Sequence, residues 1–222
     1  YKLYDILQTQ VIDKNKMYIH CKGGHGRAGI AVACLLCLHH KYTPEQAIEY
    51  TTKYHSERKQ LKQKWKEIGS PQTRIQRSCI FKLFKPLHFF KATLQGPVCG
   101  LSTFSYHSIY IENIGTFPTV ENAFQAYRDI SNLSFVSTLQ SCMPSYAKRI
   151  KGGKDLSDKD KIKIMRKLCI LKINKYSDVK EALLKTYMRP IYFKGKDPCW
   201  GGERNEYGKL WMSIRDNFFY NK

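Results

Sequence analysis

A cysteine and an arginine, Cys21 and Arg27, flank a turn in the segment HCKGGHGRAG. Three glycines lie between them: Gly23, Gly24 and Gly26. Glycines let several backbone N–H groups converge on one point without Cβ clashes, as binding of a dianion requires. A cysteine there has a lowered pKa and acts as a thiolate nucleophile, and an arginine can bind two oxygens of a phosphoryl group. The spacing therefore predicts a phosphate-binding loop that contains a nucleophile.

The elements on either side of this turn would position it. Residues 17–19, Met-Tyr-Ile, predict a short buried strand, and the apolar run over 28–38 is long enough for a helix. The turn would then lie at a helix N-terminus, where partial positive charge favours an anion. The alternative is that Cys21 is a core residue at a strand end, because cysteine is among the most buried residue types.

The segment HCKGGHGRAG resembles the signature of the protein tyrosine and dual-specificity phosphatases, which is His-Cys, five residues and Arg. The resemblance implies an α/β cysteine-phosphatase fold and a phosphoprotein substrate. It also implies that Cys21 forms a phosphocysteine, that Arg27 binds the phosphoryl oxygens and that His20 tunes the thiolate.

Residues 70–84, SPQTRIQRSCIFKLF, resemble the QTxxQ segment of the tyrosine phosphatases. The resemblance implies that Gln72 orients the hydrolytic water, with Gln76 beside it. A solvated face is the alternative for two glutamines on a helix. The segment follows a helix predicted over 43–54, which agrees with its place in the family.

Two features depart from the phosphatase pattern. The family carries an aspartate general acid upstream of the cysteine, whereas Asp5 and Asp13 lie in a segment that predicts a helix. Ala28 stands where the family usually has Ser or Thr to assist departure of the thiolate. The chain also starts at Tyr1. We therefore expect a phosphatase domain truncated at its N-terminus, over residues 1–88, from a longer protein.

Length and composition support two small domains. With 222 residues and 42% hydrophobic residues, the chain can supply two cores. Prolines and glycines interrupt the helical pattern between residues 86 and 100, which predicts a boundary there and a second domain over 95–222. The net charge of +20 is shared by both halves and favours anionic ligands such as phosphates, nucleotides or nucleic acid. An alternative of equal weight is that the positive charge serves only to keep the protein soluble.

The eight cysteines show no regular disulfide framework, and a reactive thiolate needs a reducing compartment. We expect an intracellular protein, cytoplasmic or nuclear. No apolar run is long enough to span a membrane. Cys34 and Cys37 form a CxxC pair without a second pair at zinc spacing, which favours core packing, so we expect no metal and no cofactor. The sequence does not indicate an oligomeric state.

In the second half, Glu121 lies in the first turn of a helix predicted over 118–132, after Pro118 and Thr119. An ordinary first-turn glutamate is one interpretation, since the helix dipole favours a carboxylate there. Further helices are predicted over 157–175, 177–187 and 205–219, with strands near 108–112 and 189–194. The pattern is that of a mostly helical α+β domain.

Six segments occur in one order along this half: LSTF at 101–104, VENAFQAYR at 120–128, PSYAKRIKGG at 144–153, IMRKLCILKI at 164–173, and DPCWGG followed by NEYGKLWMSIR from 197 onward. This order resembles the YbiA-like N-glycosidase family, also called NADAR. The resemblance implies hydrolysis of N-glycosidic bonds in phosphoribosyl compounds, such as intermediates of riboflavin synthesis, or in ADP-ribosyl compounds. The ADP-ribose can be attached to a protein or a nucleic-acid base.

Cleavage of an N-glycosidic bond builds positive charge on the sugar, so a carboxylate is needed near the anomeric carbon. Glu121 matches the family's helix-start glutamate and is our candidate. Asp197 could act as a base or hold the ribose hydroxyls, and Trp200 could stack on a base or sugar. The alternatives are that Asp197 starts a turn and that Trp200 fills the core.

Asn205 and Gly208 are predicted to open the last helix, where their donors could meet phosphate or hydroxyl groups. An N-cap is the alternative for Asn205. Arg128 stands where many members have lysine and could contact a phosphate. Phe193 stands where many members carry a second acidic residue, which weakens the expectation of turnover.

Together these features predict a two-domain hydrolase that removes phosphate from phosphoproteins and cleaves ADP-ribosyl or phosphoribosyl N-glycosides. A non-catalytic module that binds phosphorylated or ADP-ribosylated partners is the alternative. A third possibility is association with nucleic acid through charge alone, which would weaken steeply with salt.

Overall fold

The structure, a computed structural model, describes residues 17–90, 98–186 and 188–219. The chain divides into two compact units, Tyr1–Lys85 and Pro86–Lys222. The first unit thus ends slightly before residue 88, the end predicted from the sequence. The reason is a strand at Leu87–Phe89 that pairs within the second unit.

The described part of the first unit contains four helices: α1 Arg27–His39, α2 Pro44–Ser56, α3 Gln63–Ile68 and α4 Arg74–Phe84. The predicted helices over 28–38 and 43–54 are confirmed. Capping boxes start α2 and α4: the hydroxyls of Thr43 and Thr73 accept from backbone N–H groups three residues on, and Gln46 and Gln76 bond back to the cap N–H.

Helix α1 forms the centre of the first unit and packs against α2 and α4. Its buried face consists of small residues, including Gly29, Ala33 and Cys37, which allow close approach of the neighbouring helices. Ala47 of α2 and Ile80 of α4 are completely buried against this region. Because this face packs closely on both neighbouring helices, it fixes the position of the N-terminus of α1 and of the glycine-rich turn before it.

The prediction of a buried strand over residues 17–19 is wrong. Residues 17–20 have no regular secondary structure, and the side chain of Tyr18 is 87% exposed. A strand is stable only beside a hydrogen-bonded neighbour, and none of the described segments of the first unit pairs with these residues. Asp5 and Asp13 lie outside the described residues.

The second unit is mostly helical, with four short strands among its described residues. Its elements are β1 Leu87–Phe89, a 3₁₀ turn Cys99–Leu101, β2 Ile109–Ile111, β3 Gly115–Phe117, α5 Val120–Ala126, α6 Leu133–Ser141, α7 Pro144–Ala147, α8 Asp158–Lys175, α9 Ser177–Leu184, β4 Ile191–Phe193 and α10 Glu206–Phe219. This is the mostly helical α+β architecture that the sequence predicts.

The strands form two separate pairs. β1 and β4 are parallel, with Leu87 opposite Ile191, and β2 and β3 are antiparallel, with Ile109 opposite Phe117. The parallel pair joins the beginning of the unit to the strand that precedes its last helix.

The helix predicted over 118–132 is shorter than expected. α5 ends at Ala126, and a turn leads to Asn132, whose side chain caps α6 by accepting from the N–H of Phe135. A cap residue starts a new helix because it satisfies free N–H groups, and this local preference overrides the continuous apolar pattern. The other predicted helices and both predicted strands of this half are present, with ends shifted by a few residues.

Aromatic side chains of α10 fill the centre of the second unit. Tyr207 and Trp211 are buried, and both donate hydrogen bonds to the carbonyl of Leu101, at 2.7 and 3.1 Å. Each side chain of this size contributes about 1.5–3 kcal/mol by leaving water. The two bonds fix the end of the 3₁₀ turn against α10.

None of the helices in the described ranges is long and apolar enough to cross a membrane.

Candidate active sites

The turn directs several backbone N–H groups at the sulfur of Cys21. The N–H of Ala28 makes the strongest contribution, and those of Gly24, Gly23 and His25 add to it, so the Cys21 pKa falls to about 7 although burial opposes the shift. Hydrogen bonds to the thiolate stabilise the charged form. The predicted lowering of the pKa therefore has a geometric cause: the turn wraps its N–H groups around the sulfur.

The turn can wrap in this way because of its glycines. Gly24 has a φ of +67°, a conformation that side chains with a Cβ rarely adopt. Gly26 is buried, and a Cβ there would lie 2.5 Å from the side-chain nitrogen of Gln76. The start of α4 thus packs directly on the glycine-rich turn.

Neighbouring segments hold the loop by its carbonyl groups. The hydroxyl of Ser70 donates to the carbonyl of His25 at 2.6 Å, and the guanidinium of Arg58 donates to that of Gly24 at 3.2 Å. The imidazole of His25 contacts that of His55 at 2.8 Å and stacks on Trp65, with ring centroids 5.0 Å apart. Since the carbonyls are held from outside, the N–H groups remain directed at Cys21.

The other predicted residues of this site lie around the loop. Arg27 is exposed and begins α1, and the exposed His20 stacks on Tyr18 with ring centroids 5.3 Å apart. Gln72 is half-buried and lies just before α4, not on it. The side-chain oxygen of Gln76 accepts from the N–H of Thr73 at 3.1 Å, so it serves the capping box.

The described part of the first unit contains no aspartate. Its acidic residues are Glu45, Glu49, Glu57 and Glu67, all exposed. No general acid of the type that the resemblance implies is therefore placed at the loop by the described residues.

The second unit contains a cavity of about 870 Å³. Among the described residues, five cationic side chains line it: Arg128, Lys148, Lys161, Lys194 and Lys196. The described lining also includes the acidic residues Glu121, Asp155 and Asp197 and the aromatic residues Phe90, Phe124, Phe193, Trp200 and Tyr207. A cavity of this size and chemistry suits a nucleotide-sized ligand with an aromatic base and anionic groups.

Glu121 is 6% exposed and is held by two uncharged donors. The hydroxyl of Thr103 donates to one carboxylate oxygen at 2.9 Å, and the amide of Gln125 donates to the other at 3.0 Å. The side-chain oxygen of Gln125 in turn accepts from Arg128 at 3.3 Å. A buried carboxylate with neutral donors and no direct ion pair keeps its negative charge available for a developing cation.

A buried lysine fixes the segment that carries Thr103. The ammonium of Lys172 on α8 donates to the carbonyl of Ser102 at 2.8 Å and to the hydroxyl of Ser105 at 2.6 Å. Burial lowers the pKa of Lys172 to about 8. Sequence reasoning missed this residue, although its position on the same helical face as Leu168 and Met165 is a signal of a buried lysine.

Trp200 and Asp197, two of the residues that the resemblance implies, both line the cavity. The Trp200 ring is half-buried and makes edge contacts with Phe124 and Tyr207, at centroid distances of 5.8 and 6.2 Å. One oxygen of Asp197 accepts from the N–H groups of Cys199 and Trp200, at 2.9 and 3.3 Å. Asp197 therefore shapes the loop as well as lining the cavity.

Asn205 and Gly208 are not among the lining residues. The side-chain oxygen of Asn205 accepts from the N–H of Phe193 at 2.9 Å, and its amide donates to the carbonyl of Ile191 at 2.8 Å. A Cβ on Gly208 would collide with the same carbonyl. Both residues therefore pack α10 against β4. The Asn205 amide, which was expected to donate to a substrate, donates to the strand instead.

Phe193 lines the cavity at the point where the resemblance implies an acidic residue. Its ring makes edge contacts with Phe89 and Tyr207, at centroid distances of 5.4 and 5.1 Å. Gly195 allows this position, since a Cβ there would overlap the Phe193 ring. The wall is therefore aromatic and not acidic.

Comparison with known families places a phosphatase domain at the start of the chain. Residues 2–77 match the family described as "Swiss Army Knife protein, DSP-PTPase phosphatase domain". The match includes Cys21, Arg27 and Gln72, so the resemblance seen in the HCKGGHGRAG segment is confirmed.

Two viral proteins are similar to part of the chain. "Putative tyrosine phosphatase 197R" of Invertebrate iridescent virus 6 is 36% identical over 110 residues, which are 50% of this chain and 33% of that protein. "Putative tyrosine phosphatase 067L" of Invertebrate iridescent virus 3 is 35% identical over 69 residues, or 31% of this chain and 29% of that protein. The chain spans about a third of the length of these curated relatives.

A solved structure accounts for the rest of the chain. The NMR structure of the E. coli protein YbiA matches with a TM-score of 0.52 and 22% sequence identity, over 61% of this chain and 86% of YbiA. The chain thus joins a segment that matches the dual-specificity phosphatase domain to a unit with the fold of YbiA.

Proposed function

We propose that the first unit is a cysteine-dependent phosphatase that acts on phosphoproteins. The observation that carries this proposal is the set of N–H groups directed at Cys21, which lowers the thiol pKa to about 7. The thiolate attacks phosphorus, the P–O bond to the substrate breaks, and Arg27 binds the phosphoryl oxygens. Water oriented by Gln72 then releases phosphate and restores the thiolate.

The lack of an aspartate in residues 17–85 sets an expectation for the leaving group. A departing oxygen that receives no proton from one of these residues leaves as an anion, and acid assistance is worth about 10²–10⁴ in rate. Aryl phosphates with acidic phenols should therefore react far faster than phosphoserine peptides. Ala28 affects the second step instead: it has no hydroxyl to assist departure of the Cys21 thiolate from the phosphocysteine, and this step is common to both kinds of substrate.

The test compares two hydrolysis rates. One substrate is a fluorinated umbelliferyl phosphate, whose phenol is acidic, and the other is a phosphoserine peptide. We expect turnover of the aryl phosphate by the full chain, a loss of activity in Cys21→Ser, and a large loss in Arg27→Lys. Equal activity in Cys21→Ser would reject the assignment of the nucleophile.

We propose that the second unit hydrolyses N-glycosidic bonds of ADP-ribosyl or phosphoribosyl compounds, including adducts on nucleic acid. The observation that carries this proposal is the buried Glu121 carboxylate, which faces a large cavity and has only neutral donors. Its charge favours the cation that develops on the sugar as the C–N bond breaks. Water adds to the anomeric carbon, and the base leaves with a proton.

In this proposal, each of the remaining cavity residues binds a different part of the substrate. The cationic side chains, among them Arg128 and Lys161, bind the phosphates, and Trp200 stacks on the base. Asp197 holds the ribose hydroxyls or accepts a proton from water.

The test measures base release from ADP-ribosylated guanosine and from a phosphoribosylamino-pyrimidine. We expect release by the full chain and none by Glu121→Gln, with the fold retained as a cooperative thermal unfolding transition. Full release by Glu121→Gln would reject the assignment.

Phe193 favours one alternative, a module that binds these ligands without turnover. In that case ADP-ribose binds tightly, but neither substrate releases its base.

A further inference from the structure

A second cavity, of about 630 Å³, lies beside the phosphate-binding loop within the first unit. Gly23 and His25 of the loop form one wall. The N–H groups of these two residues also stabilise the Cys21 thiolate. The cavity therefore lies beside the loop that carries the nucleophile.

The opposite wall is strongly basic. The segment between α2 and α3 contributes Arg58, Lys59 and Lys62, and none of the described residues that line the cavity is acidic. Three positive charges around one concave space favour a dianion.

The basic wall is attached to the loop at two points. Arg58 donates to the carbonyl of Gly24 at 3.2 Å, and a guanidinium has five N–H donors, so further donors remain for a ligand. Trp65 stacks on His25 with ring planes 19° apart. Arg58 is thus oriented before a ligand arrives, which reduces the entropy lost on binding.

We propose that this basic cavity binds a second phosphoryl group of the same substrate, so that the first unit prefers substrates with two neighbouring phosphates. The proposal rests on the phosphatase function proposed above. Phosphate is the ligand because it is a dianion that matches both the guanidinium fork of Arg58 and the two lysines.

The test uses the full chain carrying Cys21→Ser, which cannot turn over its substrate. Dissociation constants are measured for a phosphotyrosine peptide and for the same peptide with phosphoserine one, two or three positions away. We expect roughly tenfold tighter binding of the best doubly phosphorylated peptide, since two or three exposed ion pairs act together. The preference should decrease as salt is added.

The double substitution Lys59→Ala with Lys62→Ala removes two cations and leaves Arg58 on Gly24. In this variant the ratio of the two dissociation constants should fall to near one. Lys82→Ala, an exposed lysine of α4 outside the cavity, is the matched control and should keep the wild-type ratio. A retained preference in the double variant would overturn the proposal.

An inositol monophosphate and an inositol bisphosphate with adjacent phosphates form a second arm. A preference confined to the inositol pair identifies a small-molecule substrate, and one confined to peptides identifies a protein; either supports the second phosphate site. Equal affinity for singly and doubly phosphorylated ligands in both arms would overturn this inference alone. Failure to bind any phosphorylated ligand would overturn the phosphatase proposal together with it.

Discussion

Thr103 contacts Glu121 through both its side chain and its backbone. Its hydroxyl donates to the Glu121 carboxylate at 2.9 Å, and its carbonyl accepts from the Glu121 N–H at 3.0 Å. The two bonds fix the position of the carboxylate and the first turn of α5 together. Since Lys172 holds the neighbouring Ser102, the orientation of Glu121 depends on α8 as well.

Replacement of Thr103 by Val should lower the rate of base release without unfolding the second unit. A hydrogen bond to a charged group is worth about 1.5–3 kcal/mol, so kcat should fall roughly 10- to 100-fold. Thr103→Ser keeps the hydroxyl and should retain most activity. Equal rates for the Val and Ser variants would show that the hydroxyl does not act on Glu121.

Lys172 should make the stability of the second unit depend on pH in the alkaline range. Its pKa falls from 10.5 to about 8 on folding, so between these values the unfolded chain binds more protons and stability rises with pH. The free energy of unfolding of the wild type, measured relative to Lys172→Met by urea titration, should therefore increase from about pH 7 to about pH 10. A difference that does not change with pH would contradict the lowered pKa.

Cys21 should be alkylated by iodoacetamide at a rate that rises with pH and is half-maximal near pH 7, the value of its pKa. Burial raises the pKa of Cys34 to about 11 and those of Cys37 and Cys169 to about 12, so these thiols should react only at much higher pH. Mass spectrometry of the modified peptides separates the sites. A half-maximal rate for Cys21 near pH 9 would mean that the N–H groups do not stabilise the thiolate.

Gly208→Ala should destabilise the second unit by about 1–3 kcal/mol, because its Cβ would meet the Ile191 carbonyl and force α10 away from β4. Asn205→Ala should cost a similar amount, since two backbone groups of β4 lose their partners. Lys209→Ala, on the exposed face of the same helix, should change stability by less than about 0.5 kcal/mol. Chemical unfolding measures the stability of all three variants. Weaker substrate binding by the Asn205 and Gly208 variants, with stability unchanged, would instead show that these residues bind the substrate.

The loop around Cys21 could be predicted from the sequence because its geometry is local. Seven consecutive residues, from Cys21 to Arg27, supply the glycines, the thiol and the arginine. The strand predicted over 17–19 failed because pairing depends on a neighbour that these residues do not specify. The contacts of Gln76 and Ser70 with the loop could not be predicted either, because both residues belong to segments that are distant from the loop in sequence.

The cavity of the second unit was only partly predictable. Glu121, Arg128, Asp197 and Trp200 line it, as the resemblance implies. The role of Asn205 was not predictable, because an asparagine before a helix has the same local signal whether it binds a ligand or a strand. Only the close approach of β4 distinguishes the two.

The parallel pairing of β1 with β4 determines when the second unit can be completed. Leu87 lies opposite Ile191, and the N–H of Lys194 donates to the carbonyl of Phe89 at 2.7 Å. During synthesis, β1 leaves the ribosome long before β4 has been made. The apolar side chains of β1 therefore cannot be buried beside β4 until most of the remaining chain has been synthesised. A fragment that starts at residue 95, the boundary suggested by the sequence, would lack β1 and leave the edge of β4 open to other chains. Separation of the two units should therefore be made before Pro86.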